Sequence, residues 1–167
     1  MDHEPVLADR VVELLLPALE HGGVFVDATL GRAGHARKIL EAADHASLVG
    51  IDRDPVALEA SRANLEAFGE RVRLAHDNFS QLASVLERLG VASARGVLLD
   101  LGVSSPQLDE PERGFSFRVA GPLDMRMDPT SGRTALELIR ATDQSTLGEL
   151  LVELGEERHG KKIARMI

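Results

Sequence analysis

Three short apolar runs in this chain each end on an acid. Asp27 follows Val24-Phe25-Val26, Asp52 follows Leu48-Val49-Gly50-Ile51, and Asp100 follows Gly96-Val97-Leu98-Leu99. An acid at the tip of a parallel strand, about twenty residues beyond a loop of small residues, can accept both hydroxyls of a ribose. Such a loop follows Asp27: Ala28-Thr29-Leu30-Gly31-Arg32-Ala33-Gly34-His35. It lets a cofactor approach backbone rather than side chains before the chain enters a helix predicted from Ala36 to Ala43. Ala33 and Ala36 stand where a dinucleotide fingerprint would place its second and third glycines. The pattern therefore leans toward S-adenosylmethionine, whose zwitterionic methionine end needs no pyrophosphate cradle. A tight structural turn is the alternative, since glycine at Gly31 also serves geometry alone.

The segment Asp100-Leu101-Gly102-Val103-Ser104-Ser105-Pro106-Gln107 is the best candidate for chemistry. An acid followed by hydroxyls and a proline turn offers acceptors to an exocyclic amine. Acceptors that bind both N–H groups favour a pyramidal, nucleophilic nitrogen, and placing it in line with a sulfonium methyl would supply most of the acceleration. Asp100, Ser105 and Pro106 are the catalytic candidates on this reading; a capped turn with Asp100 held by backbone is the alternative. His35 could be a base, although a lone histidine opening a helix more often packs or donates a hydrogen bond. Phe79, just beyond the third predicted strand, could stack on an adenine or sit in the core.

The elements that must position these groups alternate. An amphipathic helix is predicted over residues 5–20, from Val6, Leu7, Val11, Leu14, Leu15 and Leu19. Asp54 and Pro55 open a helix to about Phe68. A half-buried strand follows over 71–76, and then a helix capped by Ser80. The fourth run, 96–100, completes four strands alternating with helices, which implies a parallel α/β sheet with functional groups at its carboxyl ends. Residues 102–133 read as a long aperiodic loop. Within it, apolar anchors among charges could form a lid whose Arg113, Arg118 and Arg126 meet RNA phosphates, or a satellite core with surface ions. Thr134 with Glu137, and Thr146 with Glu149, read as capping boxes of two short helices.

A length of 167 residues fits one domain's worth of core. The net charge of −8 argues against a surface that grips nucleic acid all over, and residues 1–100 carry most of the acidic excess. There is no cysteine, which removes disulfides and thiolate chemistry and suits a cytoplasmic location. No apolar run approaches the roughly 20 residues that span a bilayer, and the N-terminus lacks a signal-peptide layout. The six histidines show no paired metal-ligand spacing, so no metal site is expected.

Together these motifs closely resemble the bacterial small-subunit (16S) ribosomal RNA (cytosine-N4)-methyltransferase family. The resemblance runs from His3-Glu4-Pro5-Val6-Leu7 to the last residue, through D-A-T-L-G, G-I-D-R-D-P, D-N-F-S, L-L-D-L-G-V-S-S-P-Q-L-D, R-G-F-S-F, P-L-D-M-R-M-D and G-E-E-R. It implies a class I methyltransferase, with a Rossmann-like core over 1–103 and the start of an inserted helical, substrate-recognition domain over 104–167. It implies methylation of a cytidine N4 amine in the 16S rRNA of the small ribosomal subunit. It also implies that Ala33, Gly34, His35, Asp52, Phe79, Asp100 and Gln107 contact S-adenosylmethionine.

The family pattern has glycine at Ala33 and usually asparagine near Arg140. If the backbone at Ala33 needs a positive φ, the methyl would strain it or crowd the ligand, and weaker cofactor binding is expected. Family members run to roughly twice this length, so the sheet is expected to be incomplete. Strand four would then show an unpaired edge and an uncovered apolar face. A missing C-terminal half or a second copy would be the natural partner, and the isolated chain is expected to methylate poorly. A non-catalytic cofactor-binding or assembly fragment, or a methyltransferase for another substrate, are the alternatives.

Overall fold

The computed structural model describes residues 5–167, and the chain falls into two compact units divided between Gly102 and Val103. His3 and Glu4 of the first motif lie outside the described residues.

The first unit is a four-stranded, wholly parallel sheet. Its strands are β1 (Gly23–Asp27), β2 (Ala46–Asp52), β3 (Val72–His76) and β4 (Gly96–Leu98), in the order β3-β2-β1-β4. Helices α1 (Ala8–Leu19), α2 (Gly34–Ala42), α3 (Pro55–Leu65) and α4 (Leu82–Arg88) precede, link and cover the strands. Strand residues alternate between faces. Phe25 and Leu48 join Leu19, Ile39, Leu40 and Leu58 in one core layer, whereas Val26, Val49 and Ile51 meet Val85 of α4 in the other.

Local chemistry fixes the boundaries. Asp54 accepts the Val56 N–H at 3.0 Å and Pro55 opens α3. The α-helix ends at Leu65 and tightens into a 3-10 segment that kinks at Gly69, short of the predicted Phe68. α1 begins at Ala8 rather than residue 5, because Leu7 adopts a left-handed conformation (φ 51°). Asn78, not Ser80, caps the turn after β3; its side chain accepts the Ser80 N–H at 2.9 Å. β4 stops at Leu98, two residues early. β1 has already ended at Asp27, so Leu99 and Asp100 have no ladder to join on that side. Among the described residues β4 pairs only with β1, and Val97 and Leu99 are nearly half exposed.

The second unit is helical: α5 (Ser105–Asp109), α6 (Ala135–Ala141), α7 (Gln144–Glu153) and α8 (Gly160–Met166). The predicted aperiodic stretch therefore contains a short helix, α5, and a 3-10 turn at Pro111–Arg113. Thr134 and Glu137 form the expected capping box of α6. Thr146 does not cap α7. Asp143 does, accepting the Ser145 and Thr146 N–H groups at 3.0 Å, while the Thr146 hydroxyl donates back to it. α7 and α8 meet backbone to backbone at Gly148 and Gly160, where an added Cβ on Gly160 would lie 2.8 Å from the Gly148 carbonyl oxygen. No helix among the described residues is long and apolar enough to cross a membrane.

Candidate cofactor site at the carboxyl ends of the sheet

β1 is flanked by β2 and β4, and Asp27, its last residue, sits level with Gly50 and Leu98. Asp52 lies two residues further along β2, about 7 Å at the usual rise of a strand. Asp100 lies two residues beyond Leu98 on the other side. The chain steps outward from β1 to β2 and β3, then crosses to the far side of β1 for β4. In open parallel sheets a crevice forms beyond the strand ends at such a reversal. Asp27, Asp52 and Asp100 stand at three neighbouring carboxyl ends, where such a crevice would lie.

The electrostatics agree with that placement. Asp27 is buried, and burial lifts its carboxyl to about 7. The Thr29 N–H, 3.2 Å away, opposes the rise, while the charges of Asp52 and Asp100 reinforce it. Asp52 is also raised, by burial first, against stabilising N–H groups from Asp54 and Gly31. One Asp52 oxygen accepts the Gly31 N–H at 2.6 Å and the other the Asp54 N–H at 2.9 Å. A carboxylate offers about four acceptor sites; these N–H groups, with a smaller contribution from that of Arg53, hold the side chain rigid and leave acceptor capacity for a hydroxyl. Asp100 is exposed. Its N–H donates to the Thr29 hydroxyl at 2.7 Å, and its carboxylate has no hydrogen-bond partner among the described residues.

The loop from Ala28 to Ala33 is tied at both ends. Ala28 and Leu30 donate to the carbonyls of Leu98 and Ile51, and Ala33 to that of Leu30. Gly31 takes a left-handed φ of 53°, with no side chain over the Gly31–Asp52 bond. The loop delivers the chain into α2, whose first N–H groups lack intrahelical acceptors and favour a carboxylate. Thr29 was legible only as a letter of D-A-T-L-G; its role in tying the loop to the end of β4 is seen in the structure. Phe79 opens the 3-10 turn after β3 and is 41% exposed, so it is not a core residue. His35 is buried, and its Nε2 donates to the Val6 carbonyl at 2.7 Å.

A family model described as the MraW methylase family matches residues 1–167. The chain belongs to the MraW methylase family. It is 51% identical over 166 residues to a protein of Parafrankia sp. named ribosomal RNA small subunit methyltransferase H, covering 99% of this chain and 51% of that one. A protein of the same name from Geobacter sulfurreducens is 50% identical, with 99% and 53% covered. The chain thus spans about half the length of the curated relatives it matches. Among solved structures, an rRNA methylase from Streptococcus thermophilus aligns with a TM-score of 0.48 at 21% identity, over 61% of this chain and 57% of that one.

Ala33 of this MraW methylase chain has φ 66°, the left-handed geometry that glycine adopts freely. Its methyl is fully buried in the α1–α2 core layer, so it does not crowd the cleft. Left-handed strain costs about 1–2 kcal/mol. The buried methyl returns about 0.8 kcal/mol, and glycine would add about 0.5–1 kcal/mol of chain entropy. These offset one another. Ala33→Gly is therefore expected to change unfolding free energy by less than about 1 kcal/mol, as read by urea denaturation, and cofactor affinity by no more than about twofold.

The remaining candidates lie in the second unit, described by itself. Ser105 and Pro106 open α5. Gln107 is buried, and its Oε1 accepts the Ser104 N–H at 3.0 Å, a cap on its own helix rather than an oxygen held open for a ligand. Arg113 donates to the carbonyls of Arg126 and Met127, and Arg126 grips Asp124 through two bonds of 2.8 and 2.7 Å. That grip holds the Asp124 carboxyl near 2, well below its ordinary value. Both arginines knit the loop together. Arg118 does not: it is exposed, and its guanidinium lies 5.8 Å from the ring of Phe117, itself 92% exposed.

Proposed function

We propose that this chain forms the cofactor-binding part of a methyltransferase that moves a methyl group from S-adenosylmethionine to the N4 amine of a cytidine in small-subunit ribosomal RNA. One observation carries the reading: Asp52, pinned by the Gly31 and Asp54 N–H groups, stands with Asp27 and Asp100 at neighbouring carboxyl ends of the sheet. The donor set suits that cofactor. Its sulfonium and ammonium are cations and three acids stand at those ends; a ribose hydroxyl meets the acceptor capacity left on Asp52. Its carboxylate suits the opening amides of α2, and its adenine suits the exposed ring of Phe79.

S-adenosylmethionine supplies an electrophilic methyl on a positively charged sulfur. The protein's share is positioning and proton handling. The Asp100 carboxylate, exposed and without a hydrogen-bond partner among the described residues, can accept an N–H of the incoming amine, steer its lone pair, and take up the proton lost as the new C–N bond replaces the methyl–sulfur bond. Ser105 and Pro106 remain candidates from the sequence motif. A ribosomal base must leave its stack to reach a cleft of this kind.

The relatives' names support an RNA substrate, and Arg118 is the arginine most available to a phosphate. Arg118→Ala is expected to weaken single-stranded RNA binding several-fold and to flatten its salt dependence by about one ion. Arg126→Ala should instead lower the melting temperature of the second unit. Fluorescence anisotropy across a salt series, with thermal melts, separates the two.

The governing test is transfer of labelled methyl to small ribosomal subunits, with nucleoside analysis of the product. Label on a cytidine exocyclic amine is the expected result. Cofactor binding with no label on any RNA, even when a full-length relative labels the same subunits, favours a binding module. Label on a protein or small molecule overturns the RNA assignment.

A further inference from the structure

The N-terminal Pro5-Val6-Leu7 segment and His35 are not used by the proposed chemistry, yet they meet at the cofactor loop. The His35 ring donates to the Val6 carbonyl at 2.7 Å across 29 residues of chain. The Pro5 ring lies over Gly34 so closely that an added Cβ there would come within 2.5 Å of it. Gly34, unlike Ala33, has no positive φ. Its lack of a side chain therefore serves the approach of Pro5, not a backbone turn.

The side chains of Val6 and Leu7 are 63% and 72% exposed, so the segment gains little from burying them. Leu7 also takes the left-handed φ of 51° that turns the chain into α1. What holds it down is the His35 bond, the Pro5–Gly34 contact and, one turn on, an ion pair of 3.1 Å between Asp9 and Lys38.

We infer that His35 is a positioning residue: it latches Pro5-Val6-Leu7 across the start of α2 and so fixes the opening amides of that helix, which the proposed cofactor's carboxylate would meet. This makes the N-terminal segment part of the cofactor site, and it rests on the reading of the strand-end cleft as an S-adenosylmethionine site. The ring acts through Val6 and Pro5 rather than by touching the ligand.

A double-mutant cycle tests it on the chain as it stands. Cofactor dissociation constants are measured by calorimetry for His35→Ala, Pro5→Gly, the pair together, and His35→Gln, whose amide can still donate. Amide exchange over residues 6–12 is followed without ligand. The expected pattern is about tenfold weaker binding for His35→Ala, a smaller loss for Pro5→Gly, and a double variant no worse than His35→Ala. His35→Gln should recover most of the affinity, and exchange near Val6 and Leu7 should accelerate in His35→Ala. Additive losses, or unchanged exchange in His35→Ala, would show that the ring acts on the ligand directly and overturn the latch. Absence of binding by the unsubstituted chain would overturn the cleft reading and this inference with it; normal binding with no effect of any variant would overturn the inference alone.

Discussion

Asp27→Asn is expected to stabilise the ligand-free protein by about 4 kcal/mol at pH 8 and by less than half as much at pH 5. The Asp27 carboxyl rises from an ordinary 3.8 to about 7, chiefly because it is buried, with repulsion from Asp52 and Asp100 added. Below pH 3.8 the folded and unfolded chains both carry this proton. Between 3.8 and about 7 only the folded chain keeps it, so this group's contribution to stability falls as pH rises and is lost above about 7. The full loss amounts to about 4 kcal/mol. Asparagine cannot ionise, and its amide oxygen can still accept the Thr29 N–H. Urea unfolding at both pH values checks this, and an equal gain at each would refute the assignment of the cost to ionisation. The same substitution removes a charge facing the cationic end of the proposed cofactor, so tighter folding and weaker binding should appear together.

Asp52→Ala is expected to weaken S-adenosylmethionine binding by up to about 100-fold, because a hydrogen bond to an ionised acceptor contributes about 1.5–3 kcal/mol. It also strips the acceptors from the Gly31 and Asp54 N–H groups. The loop and the entry to α3 then lose their shared anchor, so the melting temperature should fall as well. Asp52→Asn keeps one good acceptor but turns an amide NH2 toward one of those N–H donors, and should rescue only part of the loss. Calorimetric titration beside thermal melts measures both effects. Full affinity in Asp52→Ala would remove the central support for the proposed site.

Much of the site was legible because strand-end acids are set by chain order alone. Apolar runs ending at Asp27, Asp52 and Asp100 predict three neighbouring tips once the sheet is parallel, and the structure places Asp27 and Asp52 at the ends of adjacent strands and Asp100 two residues beyond the end of a third. The Asp54-Pro55 helix start was readable for the same local reason. Competing caps were not: Asn78 and Asp143 each stand ahead of the hydroxyl residue that sequence reasoning favoured, and a carbonyl or carboxylate acceptor one turn earlier takes the N–H groups first. Nor does spacing reveal which arginines are spent internally. Arg113 and Arg126 look as available as Arg118 until the carbonyls and the Asp124 carboxylate they hold come into view. The His35–Val6 and Thr29–Asp100 bonds join residues far apart in sequence, a relation that no local pattern encodes.

The Thr29–Asp100 bond spans 71 residues. β1 is synthesised before the other three strands yet sits within the sheet, and one of its two neighbours, β4, follows only after β2 and β3. Closing so wide a loop is slow and entropically unfavourable until the partners meet. The three strand-end acids are therefore expected to come together only once β4 is in place, and a ligand that bridges them would report a completed sheet rather than a partly built one.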